Sequence, residues 1–432
     1  MIKTIKDFHI ERMAEGQKVG VINLGCARNL VDSQTILTNL KRSGHRIVPI
    51  EKADVAVVNT CAFIEEAKKE SLDMIVELLE LKKQGKLKRV VVAGCLAERY
   101  RKELSEEFKD IDEIIGVQKL DKDKIPSEIS LTPKHFAYVK ISESCYNRCH
   151  FCIIPKIKGK FVSRTVESVI KEIKQLDSKG VKEINIIGQD ITAYGMDLYH
   201  ELSLARLLKE AVKVCRNIQW IRLLYAFPAH VTNELIETIA SEEKICKYID
   251  IPLQHISDNI LEGMNRHITT KGTIELIGKF RQKIPGVSIR TTFIVGLPGE
   301  TDENFKELAE FVVKERFDKV GVFVYSREEG TEAYNMPQQV PERVKKDRLN
   351  QLMRLQQKIS QDIQHSSIGQ VRRVLIEEKD KQGVYISRSE YDAPEVDGVV
   401  YVHTAKDLKS GDFVDVNITD AYEYDLVGEL AG

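Results

Sequence analysis

Three cysteines, Cys145, Cys149 and Cys152, stand three and then two residues apart in one short polar stretch. Three thiolates this close can hold three irons of a cubane iron-sulfur cluster and leave the fourth iron open to a ligand that is not protein. An open coordination position suits catalysis, because an electron-carrying cluster or a structural zinc site normally takes four protein ligands. His150 is the only local side chain that could close the site as a fourth ligand and turn it into a zinc centre. A second set, Cys26, Cys61 and Cys95, is spread along the chain, each cysteine at the end of a short apolar run rich in Val or Ile. A single cysteine there reads as a small apolar filler, but three at equivalent positions point to a second cluster with its own open iron, able to bind and deliver sulfur. Cys215 and Cys246 sit in apolar surroundings and read as core.

The elements that must position these sulfurs are legible as alternating patterns. In the first segment the runs KVGVIN, ADVAVVNT and KRVVVAG are separated by helix-length amphipathic stretches. This is the pattern of buried parallel strands with crossover helices, hence an open parallel α/β domain over residues 1–130. The carboxyl ends of parallel strands share one edge, where ligands bind, so Cys26, Cys61 and Cys95 are expected to converge. A second alternating series starts at HFAYVK and continues through EINII, WIRLL, YIDI, VSIRTTFIV and KVGVFV. Six β/α units predict a partial (β/α)6 barrel over residues 131–340, with chemistry at the strand C-terminal ends. Residues 341–365 have helical spacing and predict a connecting helix that begins at Pro341. Residues 366–432 alternate in short runs between turns, which predicts a small antiparallel β-barrel.

Composition sets the outer limits. A chain of 432 residues with 42% apolar and 30% charged side chains is long enough for several domains at about 100–200 residues each. The N-terminus scatters charge and shows no apolar leader, and no run is long enough to cross a bilayer, so a cytoplasmic protein is expected, with no membrane partner. Eight cysteines in that reducing compartment favour metal or redox chemistry over disulfides. Net charge is −1, but residues 366–432 carry seven Lys plus Arg against fourteen Asp plus Glu. A domain that grips nucleic acid should be basic; this acidic tail suits a basic partner, although acidic surface also serves solvation.

The cysteine spacing at Cys145, Cys149 and Cys152, in a loop after the first barrel strand, resembles the radical S-adenosylmethionine (SAM) superfamily. With the three-cysteine α/β domain before it and the small barrel after it, nearly the whole chain resembles the methylthiotransferases, whose C-terminal domain is a TRAM domain used for substrate recognition. The stretches Leu24–Ser33, Trp220–Tyr225, Tyr248–His255 and Asp392–Gly398 are similar to the branch that modifies an aspartate of small-subunit ribosomal protein twelve. Ala27 and Arg28, where that branch more often has Pro and Lys, and Ser144, where it usually has Gly, are departures.

The resemblance implies two 4Fe-4S clusters. SAM binds the open iron of the Cys145, Cys149 and Cys152 cluster and is cleaved to a 5'-deoxyadenosyl radical, which takes hydrogen from the aspartate β-carbon. The Cys26, Cys61 and Cys95 cluster supplies sulfur that is methylated by a second SAM. It implies SAM contacts at Gly188, Gln189 and Asp190 and at Arg290, Gly296 and Glu300, residues that also read as tight turns with solvated charges. Expected partners are the ribosomal protein, free or in the assembled subunit, a reductant such as flavodoxin or ferredoxin, and a sulfide source. A tRNA adenosine is the alternative substrate, and a non-catalytic iron-sulfur electron carrier the alternative class.

Overall fold

The computed structural model of the chain describes residues 16–120, 122–123 and 127–431. The charge pattern of the N-terminal fifteen residues, and part of the polar connection from Asp121 onward, lie outside them.

Lys18–Asn23, Val55–Thr60 and Arg89–Gly94 form the centre of a five-stranded parallel sheet, with two-residue and three-residue strands, Arg46–Ile47 and Glu113–Ile115, at its edges. The edge strands are too short to show a period in sequence. Successive side chains of a strand point to opposite faces, so Val55 and Val57 pack with Ile36 and Leu40 of the helix Ala27–Arg42 on one face. Ala56 and Val58 pack with Ile75, Leu78 and Leu79 of the helix Glu65–Lys83 on the other. The strand order reverses between Lys18–Asn23 and Val55–Thr60, and the crevice outside such a switch point is where open α/β sheets bind ligands.

The second series folds as expected into six parallel strands. Phe136–Lys140, Glu183–Ile187 and Trp220–Leu223 make one sheet, and Tyr248–Asp250, Ser288–Val295 and Lys319–Val324 the other. A single parallel bridge, Ile221 to Ile245, joins them. The outward side chains, among them Val139, Ile184, Ile186, Ile221 and Ile289, form the largest core with the surrounding helices. The inward ones, Phe136, Tyr138, Ile187, Trp220 and Tyr248, pack instead against Val31 of the first domain and Leu375 and Ala393 of the last. The barrel interior is therefore closed by its neighbouring domains.

The connecting helix spans Glu342–His365 after Pro341. The last domain is a closed barrel of five strands. Four seams are antiparallel, and Val400–His403 runs parallel to Leu426–Leu430. The small antiparallel barrel expected from sequence is thus present, and because strands in a ring of five cannot alternate direction all the way round, one parallel seam is unavoidable. No helix among the described residues is long and apolar enough to cross a membrane.

Candidate active site

The loop with Cys145, Cys149 and Cys152 leaves the first barrel strand through Ser144, which holds φ 65. This left-handed conformation favours glycine, and the Ser144 hydroxyl offsets part of the strain by donating to the Gly159 carbonyl at 2.6 Å. Asn147 Nδ2 donates to Cys145 Sγ at 3.6 Å and to Asp190 Oδ2 at 2.7 Å. Arg266 Nη1 donates to Cys149 Sγ at 3.4 Å; its guanidinium also donates to the Pro252 carbonyl and lies 4.3 Å from the Phe227 ring centre. His150, the candidate fourth ligand, bonds through Nδ1 to the Gly263 carbonyl at 2.7 Å. Burial pushes the Cys145 thiol up to about 11, helped by Asp190, and the Cys152 thiol up to about 12.

The second trio is assembled from three strand ends, as its spacing predicted. Cys26 is the N-cap of Ala27–Arg42, Cys61 directly follows Val55–Thr60, and Cys95 opens the short helix Cys95–Arg99. Two glycines permit the close approach. A Cβ on Gly25, at φ 88, would stand 3.0 Å from Cys61 Sγ, and one on Gly94, at φ 92, only 2.3 Å from Asn59 Oδ1. Asn29 ties the three ends together: its Nδ2 donates to the Leu24 and Thr60 carbonyls, and its Oδ1 accepts from Cys95 Sγ at 3.8 Å. Ser71 Oγ clamps both the amide and the carbonyl of Cys61. Burial pushes the Cys95 thiol up to about 12 and raises that of Cys61. At Cys26 burial acts in the same direction, but Arg28 and the backbone amides of Arg28 and Asn29 outweigh it and the thiol is lowered.

All six cysteines are free. Among the described residues no three His, Cys, Asp or Glu side chains converge on a point where one metal ion could sit. Three thiolates apiece are the donor set that would hold a cubane cluster with one open iron.

Polar contacts lock the two trios to each other. Lys140 and Lys158, both buried, share the carboxylates of Asp32 and Glu143, with Lys158 Nζ 2.9 Å from Asp32 Oδ2 and Lys140 Nζ 2.5 Å from Glu143 Oε2. Asp32 belongs to the helix after Cys26, and Lys158 to the helix Ile154–Lys158 after Cys152. Arg28 Nε donates to Cys26 Sγ at 3.4 Å and its Nη1 to the Gly188 carbonyl at 3.0 Å. On the other flank Arg99 Nη1 lies 2.7 Å and Lys68 Nζ 3.1 Å from Glu328 Oε2. None of Arg28, Asn29, Asp32, Asn147, Lys158 and Arg266 was a candidate site residue from sequence. Arg28, a departure from the family pattern, Asn29 and Asp32 lie in the Leu24–Ser33 stretch and Asn147 lies between the loop cysteines, whereas Lys158 and Arg266 gave no signal before the fold joined them.

The expected SAM contacts divide. Gly188 faces Arg28, and Gln189 donates to Glu143 at 3.1 Å while its Oε1 stays buried without a partner. Both Asp190 oxygens are engaged, one by Asn147 and by His230 at 2.8 Å, the other by Thr192 and Ala193. Arg290 pairs with Asp250 at 3.0 Å and with Asp397 of the last domain at 3.3 Å. Glu300 accepts from the Gly296 and Leu297 amides and pairs with Arg348 of the connecting helix at 2.6 Å. A Cβ on Gly296 would meet Lys345 of that helix at 2.2 Å.

Acidic groups of the last domain line this interior as well. Tyr138 and Tyr248 donate to Glu395 and Asp397 at 2.7 Å each, Lys319 pairs with Asp392 at 2.7 Å, and Arg388 joins Glu377 to Glu183. Part of the acidic excess of the tail thus serves docking onto the barrel rather than an external partner.

Residues 139–312 match the radical SAM superfamily, residues 18–116 the uncharacterized protein family UPF0004, and residues 368–431 the TRAM domain. The fold is shared with the radical S-adenosylmethionine methyltransferase TsrM from Kitasatospora setae, solved with cobalamin and a 4Fe-4S cluster. The TM-score is 0.54 at 16% identity, over 74% of this chain and 77% of that one. Fold and family match together define a radical SAM enzyme. The chain is 48% identical to the ribosomal protein uS12 methylthiotransferase RimO of Thermoanaerobacter sp. (strain X514), over 96% of this chain and 100% of that protein. It is 44% identical to the protein of the same description from Flavobacterium psychrophilum, over 96% and 98%. The chain belongs to the uS12 methylthiotransferase family.

Proposed function

We propose that this enzyme attaches a methylthio group to the β-carbon of an aspartate in ribosomal protein uS12, using SAM both as methyl donor and as radical source. The observation that carries this is the pairing of two open cysteine trios across one polar seam, in a chain that matches uS12 methylthiotransferases over nearly its full length. Cys145, Cys149 and Cys152 hold the cluster that binds SAM, and Cys26, Cys61 and Cys95 hold the auxiliary one. When bound, these groups supply the one-electron cleavage of SAM, the hydrogen-abstracting radical and the sulfur that is transferred.

The protein supplies position and a dry setting. Asn147 and Arg266 fix the loop sulfurs, and Asp190 acts on that loop through Asn147. Gly188 and Gln189, at the barrel edge facing the auxiliary trio, border the SAM site, where the free Gln189 Oε1 can accept a donor. Arg290, Gly296 and Glu300 support that site by bracing the strand ends against the last domain and the connecting helix. The ion quartet of Asp32, Lys140, Glu143 and Lys158 holds the separation between the trios constant. The TRAM domain closes the barrel and offers exposed acidic side chains, Asp415, Asp420, Glu423 and Glu429, to a basic protein substrate. The family chemistry requires a reductant; flavodoxin or ferredoxin, together with a sulfide source, in the cytoplasm completes the assignment.

The test is anaerobic. The reconstituted enzyme is given SAM, dithionite, sulfide and either uS12 or tRNA, and both are analysed by mass spectrometry. A methylthio mass increment on an aspartate-containing peptide of uS12 is the expected result. An increment on adenosine, with uS12 untouched, would overturn it.

A further inference from the structure

Most of the cations around the two trios are matched by carboxylates. Lys140 and Lys158 are balanced by Asp32 and Glu143, Arg290 by Asp250 and Asp397, and Arg99 by Glu328. Arg266 is held by the Pro252 carbonyl, Cys149 and the Phe227 ring. Arg28 is different. Its partners are a thiol, a carbonyl and an aromatic face: Cys26 Sγ, the Gly188 oxygen, and the Tyr225 ring with its centre 4.3 Å from the guanidinium carbon. Among the described residues no carboxylate lies within ion-pair distance of it, and its Nη2 makes no hydrogen bond.

The guanidinium is also held rigid at this place. Tyr225 keeps a left-handed backbone, φ 71, at the end of its strand, and its amide donates to Asp250 Oδ2 at 2.9 Å. A strained non-glycine conformation of this kind persists only where the surroundings over-determine it. Here it sets a tyrosine ring beside a cation that belongs to the other domain. The result is a planar donor fork held by three partners, with Nη2 left without a bond, lying between the auxiliary trio and the barrel edge. Such a fork is shaped for a carboxylate.

We propose that Arg28 receives the carboxylate of the target aspartate, so that the neighbouring β-carbon is presented at the junction of the two cysteine trios. This rests on the functional reading above and adds to it the residue that distinguishes aspartate from its neutral isostere. No proton or electron moves through Arg28. It is a substrate-binding residue, and its contribution is charge and direction.

The experiment measures the affinity of the anaerobically loaded enzyme for uS12 and for uS12 with the target aspartate changed to asparagine, using wild type, Arg28→Met and Arg28→Lys. Hydrogen bonds to charged groups are worth enough to predict a wild-type preference for the aspartate form of roughly tenfold or more. Arg28→Met should bring that ratio close to one, and Arg28→Lys, which keeps charge but loses the fork, should restore part of it. If Arg28 merely positioned Cys26, both forms of uS12 would weaken together and the ratio would stay at the wild-type value in Met and Lys variants alike; that result overturns the assignment. Wild-type enzyme that methylthiolates uS12 while the ratio ignores Arg28 sinks only the Arg28 proposal. Wild-type enzyme that modifies tRNA and neither binds nor modifies uS12 sinks the functional reading beneath it.

Discussion

The two cysteine trios reach the same chemical arrangement by opposite routes. Cys145, Cys149 and Cys152 share one loop, and much of their geometry follows from short-range constraints: the turn at Ser144, and Asn147 bonded to Cys145 two residues away. Cys26, Cys61 and Cys95 come from three separate strand ends, and only a parallel sheet with a switch point puts them together. A local motif tolerates change elsewhere in the fold, whereas a motif built by topology inherits every weakness of the sheet and of the seam beside it.

The sharpest break in this comparison comes from the cysteines themselves. Replacing any of Cys145, Cys149 or Cys152 with alanine should reduce SAM cleavage to background, read as 5'-deoxyadenosine formed on reduction. Replacing Cys26, Cys61 or Cys95 should leave that cleavage intact and eliminate methylthio insertion, read by mass spectrometry of uS12. Insertion retained in the second set would remove the auxiliary trio from the sulfur path.

The seam offers the next largest effect. Asp32→Asn leaves Lys140 and Lys158 buried with a single carboxylate, Glu143, between them. Breaking a buried ion cluster in this way costs about 3–5 kcal/mol, which thermal unfolding would register. Spectroscopic quantification of the two clusters should show the auxiliary one depleted first, and equal depletion would mean that the seam supports both trios alike.

Acid should weaken the barrel through His255. Burial, with Arg348 adding to it, pushes this imidazole down to about 3, and its Nδ1 accepts from the Ser257 amide at 3.1 Å, as a neutral ring does. Between that value and the ordinary 6.5 the unfolded chain binds a proton that the folded chain does not. Stability from this group is therefore full above about 6.5 and is lost as pH falls toward 3. Urea unfolding from pH 7 to 5 should show the decline, and His255→Gln should flatten it; an unchanged slope would assign acid sensitivity to other groups.

The smallest effect is at Ser144. Glycine would remove the left-handed strain and also the hydroxyl bond to Gly159, two terms of about 1 kcal/mol each and opposite sign, so Ser144→Gly should alter stability by less than about 0.5 kcal/mol. Ser144→Ala keeps the strain, loses the bond, and should cost about 1 kcal/mol. Calorimetry of the pair separates the two terms.

Elements set in long apolar or periodic runs were legible: the three central strands of the first sheet, the six barrel strands, of which Tyr248–Asp250 is short but sits in the longer run Tyr248–Leu253, and the helix Glu342–His365. The short edge strands Arg46–Ile47 and Glu113–Ile115 were not read from sequence. The loop trio was legible from spacing alone. The strand-end trio was legible as equivalence of position, from which convergence at one sheet edge was expected.

What the sequence determined by itself was therefore the inventory: three domains in order, two sets of three thiols, and the loop that carries one of them. Charge partners were left to the tertiary structure, because an ion pair such as Asp32 with Lys158, or Arg290 with Asp397, leaves no periodic trace in the chain. The role of the acidic tail was decided there too: counted along the sequence it was a uniform excess, and folded it divides into groups that dock the last domain and groups that face solvent. Arg28 shows the same limit at one residue. In sequence it was a departure from a familiar pattern, and only when a turn of helix from one domain meets a strand end of another does it become an open cation between the trios, since proximity between distant residues is created by packing and not by order along the chain.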